Sequence, residues 1–95
     1  MPQSFRTVKV AVTGRVQGVW FRAWTCQQAE SLGLNGWVRN RRDGGVEAVL
    51  SGPHSKVDAM LDLLWKGPPA ANVTSVQSEE LDNPPESGFH QRSTA

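Results

Sequence analysis

Twice along this chain the spacing of apolar residues changes from every second position to every third or fourth, and those two changes confine the fold more than any single propensity does. From Phe5 to Thr13, Val8, Val10 and Val12 share one face at strand spacing. After the Gly14 to Gly18 stretch, Phe21, Thr25, Ala29 and Leu32 recur at helical spacing, and the LGLNG that follows Ser31 supplies glycines suited to a helix stop, which predicts a helix over 21–32. Strand spacing returns over Trp37 to Arg42 and Val46 to Leu50, with Asp43, Gly44 and Gly45 as a tight turn between them, the pattern of a β-hairpin. Pro53 opens a second helix in which Val57, Met60, Leu61 and Leu64 fall at i, i+3, i+4 and i+7, and Gly67, Pro68 and Pro69 end it. Val73 to Glu80 reads as a fourth strand in which Val73 and Val76 break strict alternation and flank a bulge. Leu81 to Gly88, with two prolines and two carboxylates, is a surface loop, and Phe89 to Arg92 adds a short edge strand.

Strand, helix, strand, strand, helix, strand is the split βαβ order of the α+β, ferredoxin-like two-layer sandwich, in which two helices cover one face of an antiparallel sheet. At 95 residues the chain is too short for two cores, so the expectation is a single domain over residues 1–95. A helix crossover joins the first and second strands, so they run in the same direction and their carboxyl ends share one edge. Gly14 to Phe21 should therefore lie near Asn40.

Composition removes whole classes of function. Ten Lys and Arg against nine Asp and Glu leave no overall field for nucleic acid or an acidic membrane. One cysteine, Cys26, excludes an internal disulfide, and with only His54 and His90 beside it no Cys/His zinc site of usual spacing can form. No metal and no organic cofactor is expected. No apolar run approaches a membrane span, and MPQSFRTVKV lacks the apolar stretch of a secretory signal. The expected setting is a reducing cytoplasm, with the protein a soluble monomer.

The chemistry concentrates in GRVQGVWFR, Gly14 to Arg22, which joins a strand to a helix. A loop of this kind can turn its backbone N–H groups inward as a nest, and the helix N-terminus adds partial positive charge, so a phosphate-sized anion is its natural guest. The segment Arg15, Val16, Gln17, Gly18 and Val19 forms the candidate cradle. Arg22 falls in the first helical turn, where the helix dipole disfavours a cation, and its placement calls for an anion or an outside carboxylate. Five of the seven arginines, Arg15, Arg22, Arg39, Arg41 and Arg42, lie between Gly14 and Asp43 against only two carboxylates, Glu30 and Asp43. On the sequence alone this prepares one end of the domain for a small anion.

Alternation puts Asn40 on the same face as Val38, aimed inward near a strand end. Its carboxamide is either satisfied by backbone groups or, beside a phosphate cradle, free to hold a water and aim its lone pair without changing charge. No Cys or Ser occupies the cradle and no Gly-Lys-Ser/Thr follows it, so neither a phosphocysteine intermediate nor a nucleotide P-loop is supported. His54 and His90 read as exposed residues and Cys26 as an inert packed thiol. Trp20, Trp24 and Trp65 read as packing or rim residues, with Trp20 able to floor a substrate group next to the cradle.

GRVQGVWFR, the LGLNGWVRNRRDGGVEA stretch and the later GPPAANV together closely resemble the acylphosphatase family, over most of the chain and in order at family spacing. The resemblance implies a ferredoxin-like fold and hydrolysis of the mixed carboxylic-phosphoric anhydride of acyl phosphates, without metal or organic cofactor; the lack of Cys and Ser in the cradle adds the expectation of no covalent intermediate. It implies that Arg22 binds and neutralises the phosphoryl oxygens, that Asn40 orients the attacking water, and that the backbone of Arg15 to Val19 surrounds the phosphate, for which inorganic phosphate or sulfate would compete.

Three rivals share parts of this pattern. RNA-recognition domains have the same element order but stack bases on third-strand aromatics, and VEAVLS, Val46 to Ser51, carries no ring. A ferredoxin-like regulatory domain would bind an anion and turn nothing over. Acylphosphatase-like domains also handle carbamoyl phosphate inside larger hydrogenase-maturation proteins, but at 95 residues nothing attached here is expected to use that product.

Overall fold

Val8, Val10 and Val12 are fully buried along one face of the first strand, β1 (Phe5–Arg15), and the rest of the chain is built against that face. The computed structural model describes residues 4–95; residues 1–3, the head of the segment read as lacking a secretory signal, lie outside the described residues. There follow α1 (Phe21–Ser31), β2 (Asn35–Asn40), β3 (Val46–Pro53), α2 (His54–Lys66), β4 (Asn72–Glu80) and β5 (Phe89–Gln91). The strands form one sheet in the order β4-β1-β3-β2-β5. Phe21 and Ala29 of α1 and Val57, Met60 and Leu64 of α2 pack on the inward residues Val8, Val10, Val12, Val38, Val46 and Leu50. This is the ferredoxin-like sandwich, with helices on one face and the other face open.

The expected antiparallel sheet needs one correction. β1, β3, β2 and β4 pair antiparallel, but β5 joins β2 in parallel, so the sheet is mixed. β4 is one edge of the sheet, and residues 81–88 carry the chain across to the other, where β5 can only run alongside β2 in the same sense. The Gly36 amide donates to the Gly88 carbonyl at 2.9 Å, and the Arg92 amide to the Val38 carbonyl at 2.9 Å.

Boundaries shift where pairing outlasts the hydrophobic pattern. β3 runs on to Pro53 because β1 stays paired with it as far as Phe5. β2 begins at Asn35 and stops at Asn40, and the expected tight turn is a wider loop over 41–45, in which the Arg41 amide donates to the Gly45 carbonyl at 2.8 Å and the Gly45 amide to Asp43 Oδ1 at 2.9 Å. The bulge between Val73 and Val76 is present: Thr13 opposes Ser75 and Gly14 opposes Val73, leaving Thr74 over. Gly14 meets this kink at φ 118°, and a Cβ there would stand 2.2 Å from the Asn72 carbonyl oxygen, so only glycine fits. The extra residue is on β4, so β4 is the strand that the bulge bends, beside Gly14 at the end of β1 that leads into the loop.

Candidate functional site

Residues 16–20 join β1 to α1, held by apolar side chains: Val16 and Val19 are buried in the core. Gln17 points elsewhere, its Nε2 donating to the carbonyls of Arg41 at 2.7 Å and Gly45 at 2.8 Å, which ties the loop to the β2–β3 hairpin. Gly18 (φ 72°) and Trp20 (φ 68°) are left-handed while their neighbours are not, and such alternation in the sign of φ is how successive amides turn to one side as an anion nest. Among the described residues, no main-chain carbonyl accepts from the amides of residues 16–19. The Trp20 carbonyl, in turn, accepts from the Trp24 amide at 3.1 Å and starts α1.

Arg22 is half-buried in the first turn of α1, and among the described residues no carboxylate pairs with it. Of the two explanations for a cation at that position, the outside carboxylate is therefore not the one found. Asn40 ends β2 on the face of the fully buried Val38. Its main-chain carbonyl accepts from the Ala95 amide at 3.1 Å, while among the described residues its side-chain carboxamide has no partner. Arg22 and Asn40, with Val16, Gly18, Trp20 and Gln91, line one cavity of about 150 Å³, several times the ~30 Å³ share of one water. That is the scale of a small anion with solvent, and its polar walls are a guanidinium, two carboxamides and a helix N-terminus.

Not every expected residue reaches it. Arg15 is an exposed strand end opposite Asn72, Gln17 sends its side chain to the hairpin, and Val19 is an anchor in the core, so these three offer the cavity at most their backbone. Gln91 is the wall residue that the sequence reading missed. Alternation from the buried Phe89 aims it inward, but only the parallel pairing, which sets Gln91 opposite Val38, brings it beside Asn40.

The local excess of arginines is also divided. Alternation along β2 turns Arg39 to the open face, where its Nε donates to Glu47 Oε1 at 2.6 Å, with Lys9 at 3.5 Å and Arg41 at 3.9 Å from Glu47 Oε2. Burial pushes the Glu47 carboxyl up, but the hydrogen bond and charge of Arg39, followed by Lys9, outweigh it and hold the carboxyl below its ordinary value. A larger hollow of about 360 Å³ opens beside this cluster, between Lys9, Arg41, Glu47, Gln77 and Glu79. Glu47, Glu79 and Asp43, which pairs with Arg41 at 3.2 Å, stand against Lys9, Arg39 and Arg41, so this hollow offers an anion less than the smaller cavity does. His54 and His90 are exposed and line neither cavity. Burial, then the charge of Glu30, pushes the Cys26 thiol up, which keeps it protonated and poorly nucleophilic.

The family model described as Acylphosphatase matches residues 8–91, a span that holds the loop, Arg22, Asn40 and Gln91. The chain belongs to the acylphosphatase family. An acylphosphatase of Rhizobium meliloti (strain 1021) is 56% identical over 83 residues, covering 87% of each chain. The solved acylphosphatase of Coxiella burnetii is similar in fold at a TM-score of 0.89, with 40% identity and 93% of both chains covered. The acylphosphatase of Bacillus subtilis gives a TM-score of 0.88 at 31% identity, covering 94% of this chain and 99% of its own. The acylphosphatase likeness carried by GRVQGVWFR and GWVRN is thus a family relationship, over the same element order. Among the described residues, no helix is long and apolar enough to cross a membrane.

Proposed function

We propose that this hydrolase of the acylphosphatase family cleaves the carboxyl-phosphate anhydride of acyl phosphates to carboxylate and inorganic phosphate, by direct attack of water on phosphorus. The observation that carries the reading is the meeting in one small cavity of Arg22 and Asn40, a guanidinium and a carboxamide without partners among the described residues, beside amides that no described carbonyl accepts from. Arg22 and the amides of 15–19 hold the phosphoryl oxygens, and the dipole of α1 adds to their charge. Asn40 accepts a hydrogen bond from the water and aims its lone pair at phosphorus. As the new P–O bond forms, the bond from phosphorus to the acyl oxygen breaks and the carboxylate leaves with the electron pair.

A carboxylate is a stable leaving group, so no strong general acid is needed. Neither a guanidinium nor a carboxamide accepts a proton at neutral pH, and the water proton passes to a phosphoryl oxygen. What the protein supplies is position and fixed charge, the dominant contributions in phosphoryl transfer. The cavity wall offers no cysteine or serine, in keeping with a single displacement and no phosphoenzyme.

The test is hydrolysis of benzoyl phosphate by the purified protein in ¹⁸O-labelled water, with a chelator present and with inorganic phosphate or sulfate as competitor. Turnover in chelator, competitive inhibition by either anion and label in the phosphate product are expected. A protein that binds phosphate but leaves benzoyl phosphate intact is an anion-binding domain and not a hydrolase, and label in benzoate would move the attack to the carbonyl.

A further inference from the structure

Trp20 is the one non-glycine residue with positive φ among those described, held at φ 68° and ψ 24°. That region disfavours every residue with a Cβ, and glycine would adopt it freely. Nothing inside the fold accounts for the tryptophan. It stands at the N-cap of α1 with no side-chain capping bond, and its ring is 59% exposed while Val19 and Phe21 on either side are buried. Backbone strain of this kind, at a residue lining a cavity, points to a use outside the fold itself.

The proposed hydrolysis says where that use lies. Asn40 and Gln91 come from the neighbouring parallel strands β2 and β5 and form one wall of the cavity. Displacement at phosphorus is in line, so a water held by Asn40 sends the leaving carboxylate away from Asn40, towards the rest of the cavity and its mouth. The loop and the first turn of α1 also line this cavity, through Gly18, Trp20, Phe21, Arg22 and Ala23, and Trp20 is the one large apolar group among them that is exposed. We propose that Trp20 is the platform for the acyl group: its indole lies against the substituent of the departing carboxylate and makes the enzyme select acyl phosphates with flat, apolar acyl groups over short ones. This rests on the hydrolytic reading above, and it adds a substrate class to it.

Trp20→Gly and Trp20→Phe test it, since glycine relieves the left-handed backbone and melting curves will report whether either variant is folded. The quantity to read is the ratio of kcat/KM for benzoyl phosphate to kcat/KM for acetyl phosphate. Trp20→Gly should lower that ratio about tenfold, the scale of one lost aromatic contact, through KM for the benzoyl substrate, and Trp20→Phe should restore most of it. A ratio unchanged in Trp20→Gly, because both substrates fall together or neither falls, overturns the proposal. Binding of benzylphosphonate and methylphosphonate by calorimetry separates it from the hydrolytic reading: a selective loss of benzylphosphonate binding in Trp20→Gly supports the platform even if the wild type cleaves no acyl phosphate, and an equal loss of both ligands refutes it.

Discussion

A carboxamide and a guanidinium are an economical pair for this reaction, because neither changes charge near neutral pH and each acts through geometry. If Asn40 orients water and Arg22 holds phosphate, their variants should fail differently. Asn40→Ala should leave the inhibition constant for inorganic phosphate nearly unchanged while kcat for benzoyl phosphate falls by roughly two to three powers of ten, the scale for losing one positioned polar group. Arg22→Lys should weaken phosphate inhibition as well as rate, since an ammonium cannot offer the bidentate fork. An Asn40→Ala enzyme of full activity would remove the proposed role, as would phosphate inhibition untouched by Arg22→Lys. Both residues were legible in the sequence for local reasons: Arg22 is a cation in the wrong helical turn, and Asn40 shares a face with a buried valine. Gln91 was not, because its place depends on a parallel pairing that no local pattern encodes. The role of Arg39 was misread, because counting charges along the chain ignores that alternate residues leave by opposite faces.

At the scale of elements, the cavity depends on how the loop is clamped to the sheet. Gln17 spans from loop to hairpin with two donated hydrogen bonds, so Gln17→Leu should cost about 1–2 kcal/mol of stability and raise the inhibition constant for phosphate, since the amides lose their fixed direction. Denaturant unfolding and phosphate inhibition read the two effects, and a stable variant with unaltered inhibition would mean that the clamp does not hold the nest. Two glycines, Gly14 near the end of β1 and Gly18 within the loop, make a sharper comparison. Gly14→Ala puts a Cβ 2.2 Å from the Asn72 carbonyl oxygen at φ 118° and should destabilise by ~2 kcal/mol or more, whereas Gly18→Ala, at φ 72° with no atom within 4 Å, should cost only about 1 kcal/mol. Equal losses in urea unfolding would refute the steric account of the bulge. The order of elements and the bulge itself could be read from periodicity, because each is a local break in a repeat. The ends of β2 and β3 could not, because partner strands decide how far a ladder extends.

For the whole molecule, the two faces of the sheet divide the labour between packing with its adjoining cavity and charge. On the open face the guanidinium carbons of Arg39 and Arg92 each lie 4.8 Å from the Trp37 ring centre, and Arg39 also holds Glu47 with Lys9 and Arg41 nearby. At the far end of the sheet from the cavity, Arg6 joins Glu80 of β4 and Asp58 of α2, and its hydrogen bond is the main cause that holds the Glu80 carboxyl below its ordinary value. A carboxyl depressed in the folded state releases its proton there more readily than in the unfolded chain, so its contribution to stability is complete above the unfolded value and drains away as pH falls through the folded one. Glu47 and Glu80 both act in this sense. The melting temperature should therefore decline as pH drops below about 5, and Glu47→Gln should flatten part of that decline without altering kcat at pH 7. Since neither cluster lines the smaller cavity and no histidine does, stability and turnover should part company: the acid limb belongs to the melting curve, while kcat stays level between pH 6 and 8. Turnover that tracks a single ionisation in that neutral range would show that a proton-transferring group takes part in the chemistry, and would displace the account built on Arg22, Asn40 and fixed amides.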